Sequence, residues 1–131
     1  MGNVTDMLRL AYAMRNNAYA PYSKYRVGAA ILTDDGQLIG GCNVENASYG
    51  LCNCAERTAI FSAVALGMKR LRAVAVATED GGSPCGACRQ VIWEFAPDDG
   101  AVPVYLIDRT GEVVRETTIA ELLPYGFRLR P

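Results

Sequence analysis

Apolar positions recur along this chain at two different spacings, and the changes from one to the other lay out its elements. Met7, Leu10, Ala11, Met14 and Ala18 share one face at helical spacing. That predicts a helix from about Thr5 to Ala18, capped by Thr5 and broken by Ala20-Pro21-Tyr22-Ser23. Two strands are expected next, Val27 to Thr33 and Leu38 to Val44, with Asp34-Asp35-Gly36 supplying the hairpin turn. Glu45 to Asn53 reads as a loop. A second helix is expected from about Ala55 to Leu66, stopped by Gly67. Beyond Thr58 its one polar residue is Ser62, so burial nearly all round is expected. Ala73-Val74-Ala75-Val76-Ala77 reads as a central strand covered on both faces.

Ser83-Pro84 should open a third helix, with Ser83 as cap, Pro84 in the first turn, and Val91, Ile92 and Phe95 as its apolar side. Pro103 starts a strand through Asp108, Arg109-Thr110-Gly111 turns the chain, and Glu112 to Thr117 returns. Thr118-Ile119-Ala120-Glu121 has capping-box spacing and begins a short last helix. The order α-β-β-α-β-α-β-β-α predicts a single domain over residues 1–131, with one central sheet and helices on both of its faces.

Composition acts mainly by exclusion. Half of the 131 residues are hydrophobic, 21% are charged, and the formal net charge is −1. No Lys/Arg run is longer than Lys69-Arg70, so a surface that follows polynucleotide phosphates is not expected, and no nucleic-acid partner with it. The first residues lack the basic and apolar segments of a signal peptide, and no apolar run is long enough to span a bilayer. A cytoplasmic protein without a membrane partner is expected. Five cysteines, an odd number, fit metal binding in a reducing compartment better than a disulfide framework.

The chemistry is concentrated in Cys54-Ala55-Glu56 and Pro84-Cys85-Gly86-Ala87-Cys88. The chain contains no histidine, so a transition-metal site must be built from sulfur and carboxylate, and sulfur favours zinc. Cys54, Cys85 and Cys88 would leave one zinc vertex open, which is a catalytic rather than a closed structural layout. Each motif falls where a helix begins, and free N–H groups there lower thiol pKa values. Zinc with three thiolates still carries net negative charge, and Arg57 is the candidate to offset it by donating to sulfur. Two other arrangements use the same residues. Cys52, at C-x-C spacing from Cys54, could complete a closed four-cysteine site. Cys85-Gly86-Ala87-Cys88 could instead be a redox dithiol. Cys42, within a strand, reads as a small buried hydrophobe.

These residues closely resemble the small, homotetrameric, zinc-dependent type of the cytidine deaminase family. The resemblance covers nearly the whole chain. It includes Ala20-Pro21-Tyr22-Ser23-Lys24-Tyr25, Val27-Gly28-Ala29-Ala30, Gly41-Cys42-Asn43-Val44-Glu45-Asn46-Ala47, Cys54-Ala55-Glu56-Arg57-Thr58-Ala59, Pro84-Cys85-Gly86-Ala87-Cys88-Arg89-Gln90 and Glu121-Leu122-Leu123-Pro124. It implies a three-layer α/β/α fold around a mixed five-stranded sheet. It also implies one zinc per chain, and a zinc-activated water that converts cytidine or deoxycytidine into uridine or deoxyuridine plus ammonia, in pyrimidine salvage.

In that reading Glu56 is the proton shuttle, Arg57 the partner of metal-bound sulfur, and Asn43 and Glu45 hydrogen-bond the ribose 3′-hydroxyl. The backbone of Ala55 meets the ring carbonyl, and Ala47 and Tyr49 lie near the sugar. Tyr25 stands beside the substrate, where the family commonly has phenylalanine. Phe127 stacks on the base of a neighbouring subunit, so the small-molecule nucleoside would bind in sites shared across a homotetramer.

Overall fold

The computed structural model describes residues 2–129 of the chain. The domain range expected above extends past these limits at Met1, Arg130 and Pro131, which lie outside the described residues. Helix α1 spans Val4–Met14 and begins one residue earlier than expected. Its cap is Asn3, whose side-chain oxygen accepts the Asp6 N–H at 2.9 Å, and Thr5 is already inside the helix. The helix then tightens into a 3₁₀ turn over Arg15–Asn17.

Strands β1 (Gly28–Thr33) and β2 (Leu38–Cys42) form the expected hairpin, each a little shorter than the sequence suggested. Val44 lies outside β2 and makes isolated bridges to Tyr19 and Asn53. The loop that follows contains a short 3₁₀ turn over Tyr49–Leu51. Helix α2 (Ala55–Ala65) precedes β3 (Leu71–Ala77), and Gly67 adopts φ +102 between them, a conformation that favours glycine.

Burial of α2 departs from expectation. Ala55, Glu56, Ala59, Ile60 and Ala63 form its inner stripe, whereas Phe61, Val64 and Leu66 face outward despite being apolar. An apolar composition does not reveal that one side of a helix has no neighbour within the same chain.

Helix α3 spans Gly86–Phe95, two residues later than Ser83-Pro84 implied, and its cap is Cys85. Ser83 does not cap it. Its hydroxyl instead accepts from Arg89 Nη2 at 2.9 Å, while Arg89 also donates to the carbonyls of Pro84 and Leu122. The remaining elements are β4 (Pro103–Ile107), β5 (Val113–Thr118) and α4 (Ile119–Leu122). The Thr118 hydroxyl accepts the Glu121 N–H at the start of α4, as the capping-box spacing predicted.

The five strands form one mixed sheet in the order β2-β1-β3-β4-β5. Only β3 and β4 are parallel, and α3 is the crossover that such a pair requires. Period-two alternation sorts the central strand into two cores. Ala73, Ala75 and Ala77 face Met7 and Ala11 of α1, where small side chains let the helix lie close. Val74 and Val76 face the other way, with Ala59, Ile60 and Ala63 of α2, Ile92 of α3 and Ile119 of α4. The three-layer α/β/α arrangement inferred from the sequence is therefore present.

Candidate active site

Strand directions bring the candidate residues to one edge of the sheet. β1 runs antiparallel to both neighbours, so Gly28 at its start pairs with Cys42 at the end of β2 and with Ala77 at the end of β3. The segments entering β1 and leaving β2 and β3 meet there, together with the beginnings of α2 and α3. A cavity of about 500 Å³ lies at this junction.

At its floor, Cys54 caps α2, Cys85 caps α3, and Cys88 is buried in the first turn of α3. Their three Sγ atoms lie within 4.8 Å of one another, with Cys54–Cys85 at 3.8 Å and Cys85–Cys88 at 3.5 Å. A tetrahedral zinc with ordinary zinc–sulfur bonds requires sulfur–sulfur edges of about 3.8 Å, so this donor set fits that ion. Cys52 does not join the group. Its Sγ accepts the Asn46 N–H at 3.3 Å, so the closed four-cysteine arrangement is not formed.

The thiols influence one another's protonation. Cys54 is pulled down to about 5, chiefly by the hydrogen bond it receives from Cys88, with the Arg57 guanidinium contributing. Cys88 moves up, as the donor of that bond and because it is buried. Crowded sulfurs cannot all ionise unaided, and a divalent cation is what would permit it. Arg57 Nη2 donates to Cys54 Sγ at 3.2 Å, the contact the charge argument called for. Its Nε is buried without a hydrogen-bond partner of its own.

Glu56 follows at the second position of α2 and is only 3% exposed. Burial is the main cause that pushes its carboxyl up to about 7, and the nearby Cys54 charge adds to it. It lines the cavity together with Cys54, Cys85, Ala55 and Arg57.

Tyr25, Asn43, Glu45 and Tyr49 line the same cavity. Asn43 spans the turn into β1, its Oδ1 accepting the Val27 N–H at 2.9 Å and its Nδ2 donating to the Tyr25 carbonyl at 2.8 Å. The Glu45 carboxylate accepts the N–H groups of Tyr22 and Ser23 and the Ser23 hydroxyl, and the hydroxyl holds it below the ordinary carboxylate value. Both side chains are fixed in place yet keep unused hydrogen-bonding capacity.

Ala47 and Phe127 are exposed and do not line the cavity of their own chain. Sequence reasoning missed the lining residues Ser23, Asn53 and Thr78. Their signal is topological: Asn53 and Thr78 sit beside the ends of α2 and β3, and Ser23 lies in the loop entering β1, segments that meet at the cavity only after folding.

Residues 1–104 match the family model for the cytidine and deoxycytidylate deaminase zinc-binding region, and the chain belongs to that deaminase family. It is 53% identical over 127 residues to a cytidine deaminase of Sporosarcina psychrophila, covering 95% of this chain and 91% of that relative. Its fold superimposes on the crystal structure of cytidine deaminase from Burkholderia pseudomallei with a TM-score of 0.87 and 49% identity, covering 95% and 99% of the two chains. The cytidine deaminase structure from Mycobacterium tuberculosis gives a TM-score of 0.82 at 35% identity, covering 98% and 100%.

Proposed function

We propose that this protein hydrolyses cytidine, and deoxycytidine, to uridine or deoxyuridine and ammonia, with the whole chain acting as one deaminase domain in pyrimidine salvage. One observation carries this reading: a carboxyl side chain, buried and tuned to about 7, stands beside three converging sulfurs at the floor of a cavity. Cys54, Cys85 and Cys88 would hold one zinc ion, which when bound supplies the Lewis acidity that makes water nucleophilic at neutral pH.

The chain's own residues do the remaining work. Glu56 accepts the proton of the attacking water, passes it to N3 of the cytosine ring, and later delivers a proton to the departing C4 amino group. A carboxyl near neutrality suits a group that must both accept and donate. Arg57 stabilises the Cys54 thiolate. Asn43 and Glu45, already fixed by the turn they hold, offer their remaining polar positions to the sugar hydroxyls, with Tyr25 and Tyr49 against the substrate. In this reading the backbone of Ala55, which lines the cavity, meets the ring carbonyl.

The family name covers both nucleosides and nucleotides, and the cavity favours the former. Arg57 is its one cationic lining side chain among the described residues, and that guanidinium is committed to Cys54 Sγ. Glu45 lines the same cavity as a carboxylate, so a phosphate would meet repulsion without compensation. The substrate is thus a free nucleoside.

A homotetramer follows in the same reading. Phe61, Val64, Leu66 and Phe127 are exposed apolar side chains that a neighbouring subunit would cover, and Phe127 and Ala47 then complete a partner's cavity. Light scattering tests the assembly.

The functional test is direct. The purified protein should carry one zinc per chain and deplete cytidine absorbance. Glu56→Gln should keep zinc and fold yet lose roughly 10²- to 10⁴-fold in kcat. A Glu56→Gln variant that retains wild-type turnover would remove the proton shuttle.

A further inference from the structure

The cavity is bounded by two loops that are distant in sequence, residues 20–26 before β1 and residues 78–85 between β3 and α3. A hydrogen bond from the Tyr25 hydroxyl to Asp80 Oδ1, at 2.7 Å, joins them. We infer that Asp80 is a positioning residue for substrate binding, acting through Tyr25 as a clasp across the solvent-facing end of the cavity. The inference rests on the nucleoside reading above and adds to it a residue that does not itself line the cavity.

Tyr25 is fixed at each of its polar atoms. Its N–H donates to Ser23 Oγ at 3.0 Å, its carbonyl accepts from Asn43 Nδ2 at 2.8 Å, and its hydroxyl donates to Asp80. The preceding residue, Lys24, adopts φ 62, a left-handed conformation that L-residues rarely occupy. Such a turn persists only where its surroundings over-determine it, and the anchors on Tyr25 do so.

The acceptor side is equally constrained. Asp80 Oδ1 also accepts from the Thr78 hydroxyl and the Gly82 N–H, each at 3.2 Å, so its carboxylate is aimed before the tyrosine arrives. The tyrosine's donation is the main cause holding Asp80 below the ordinary aspartate value. Gly82 leaves room for the contact, because a Cβ there would lie 3.0 Å from the Tyr25 hydroxyl oxygen. Thr78, Gly82 and Tyr25 all line the cavity. The clasp therefore sets how far apart its two walls stand.

Both clasp residues are exposed, whereas Glu56 and Cys88 are buried at the floor, so loosening the clasp should weaken binding more than chemistry. Steady-state kinetics with cytidine, on zinc-loaded protein with metal content measured, separate the two. Tyr25→Phe keeps the ring and loses the bond; KM should rise roughly fivefold to tenfold while kcat stays within about twofold. Asp80→Ala should match it, and Asp80→Asn, which retains an acceptor oxygen, should restore most of the wild-type KM. The double variant Tyr25→Phe/Asp80→Ala should be no worse than Asp80→Ala alone.

Unchanged KM in Tyr25→Phe, an equal fall in kcat, or fully multiplicative effects in the double variant would each overturn the clasp while the wild type still deaminates cytidine. An inactive zinc-loaded wild type would instead overturn the functional reading. The clasp is then judged by thermal unfolding, where the two substitutions should shift Tm less together than the sum of their separate shifts, and additive shifts would overturn it.

Discussion

Two adjacent glycines on β2 make unequal predictions. A Cβ at Gly41 would sit 2.5 Å from the Ala59 nitrogen and 2.7 Å from the Ala55 carbonyl oxygen, against the backbone of α2 in its first turn. A Cβ at Gly40, on the opposite face, would have side-chain atoms as its nearest neighbours, with Met14 at 3.0 Å and Leu10 at 3.2 Å. Backbone cannot rotate away as a methionine can. Gly41→Ala must therefore push α2 off the sheet by about 1 Å to restore ordinary contact, and α2 carries Cys54 and Glu56 at that same end.

Overpacking of this kind costs about 1–3 kcal/mol, which for a chain of this length lowers Tm by roughly 4–12 °C. Misplacing reacting groups by about 1 Å costs on the order of 10²-fold in rate. Gly40→Ala should cost less than about 1 kcal/mol and leave turnover near wild type. Thermal unfolding, zinc content and cytidine turnover on the pair give the answer. Equal effects at the two positions, or a Gly41→Ala protein with unchanged Tm and kcat, would refute the argument that close approach of β2 to α2 sets the site.

Arg57→Ala removes the cation at 3.2 Å from Cys54 Sγ, so the thiol pKa should rise from about 5 and protons should compete with zinc sooner on acidification. The pH midpoint of zinc loss to a chelator should move up by roughly one unit, and coincident midpoints would exclude that role. Glu45 has a folded pKa below its ordinary value, so its stabilisation is fully present above that ordinary value and is lost as pH falls through the folded one. The Tm gap between wild type and Glu45→Gln should accordingly be widest near neutrality and close at strongly acidic pH; a gap that does not depend on pH contradicts the charge-based account. Cys52→Ser should keep one zinc per chain and turnover within about twofold, because its sulfur hydrogen-bonds the Asn46 backbone and stands outside the cluster of three. Zinc loss in that variant would reinstate the four-cysteine site.

Much of the site was legible in the sequence because its chemistry is local. Cys54, Glu56 and Arg57 lie within one helical turn, and Cys85 and Cys88 within another, so spacing alone sets which side chains share a face. The helix caps were less legible. Ser83-Pro84 has favourable opening chemistry, yet Arg89 occupies the serine hydroxyl and α3 begins after Cys85. Asn3 in place of Thr5 is a comparable case, since neighbouring residues of similar capping ability compete and local pattern does not rank them.

Sequence by itself determined the order of elements, the two faces of the Ala-Val central strand, and the candidate sulfurs with the carboxylate beside them. These depend on period and on residues close together in the chain. Tertiary structure alone decided that Cys52 turns toward Asn46, that α2 leaves Phe61 and Val64 uncovered, and that Tyr25 reaches Asp80 from 55 residues away. The reason is that such contacts depend on which strand ends meet, and strand direction and sheet order are properties of the whole packed chain rather than of any segment of it.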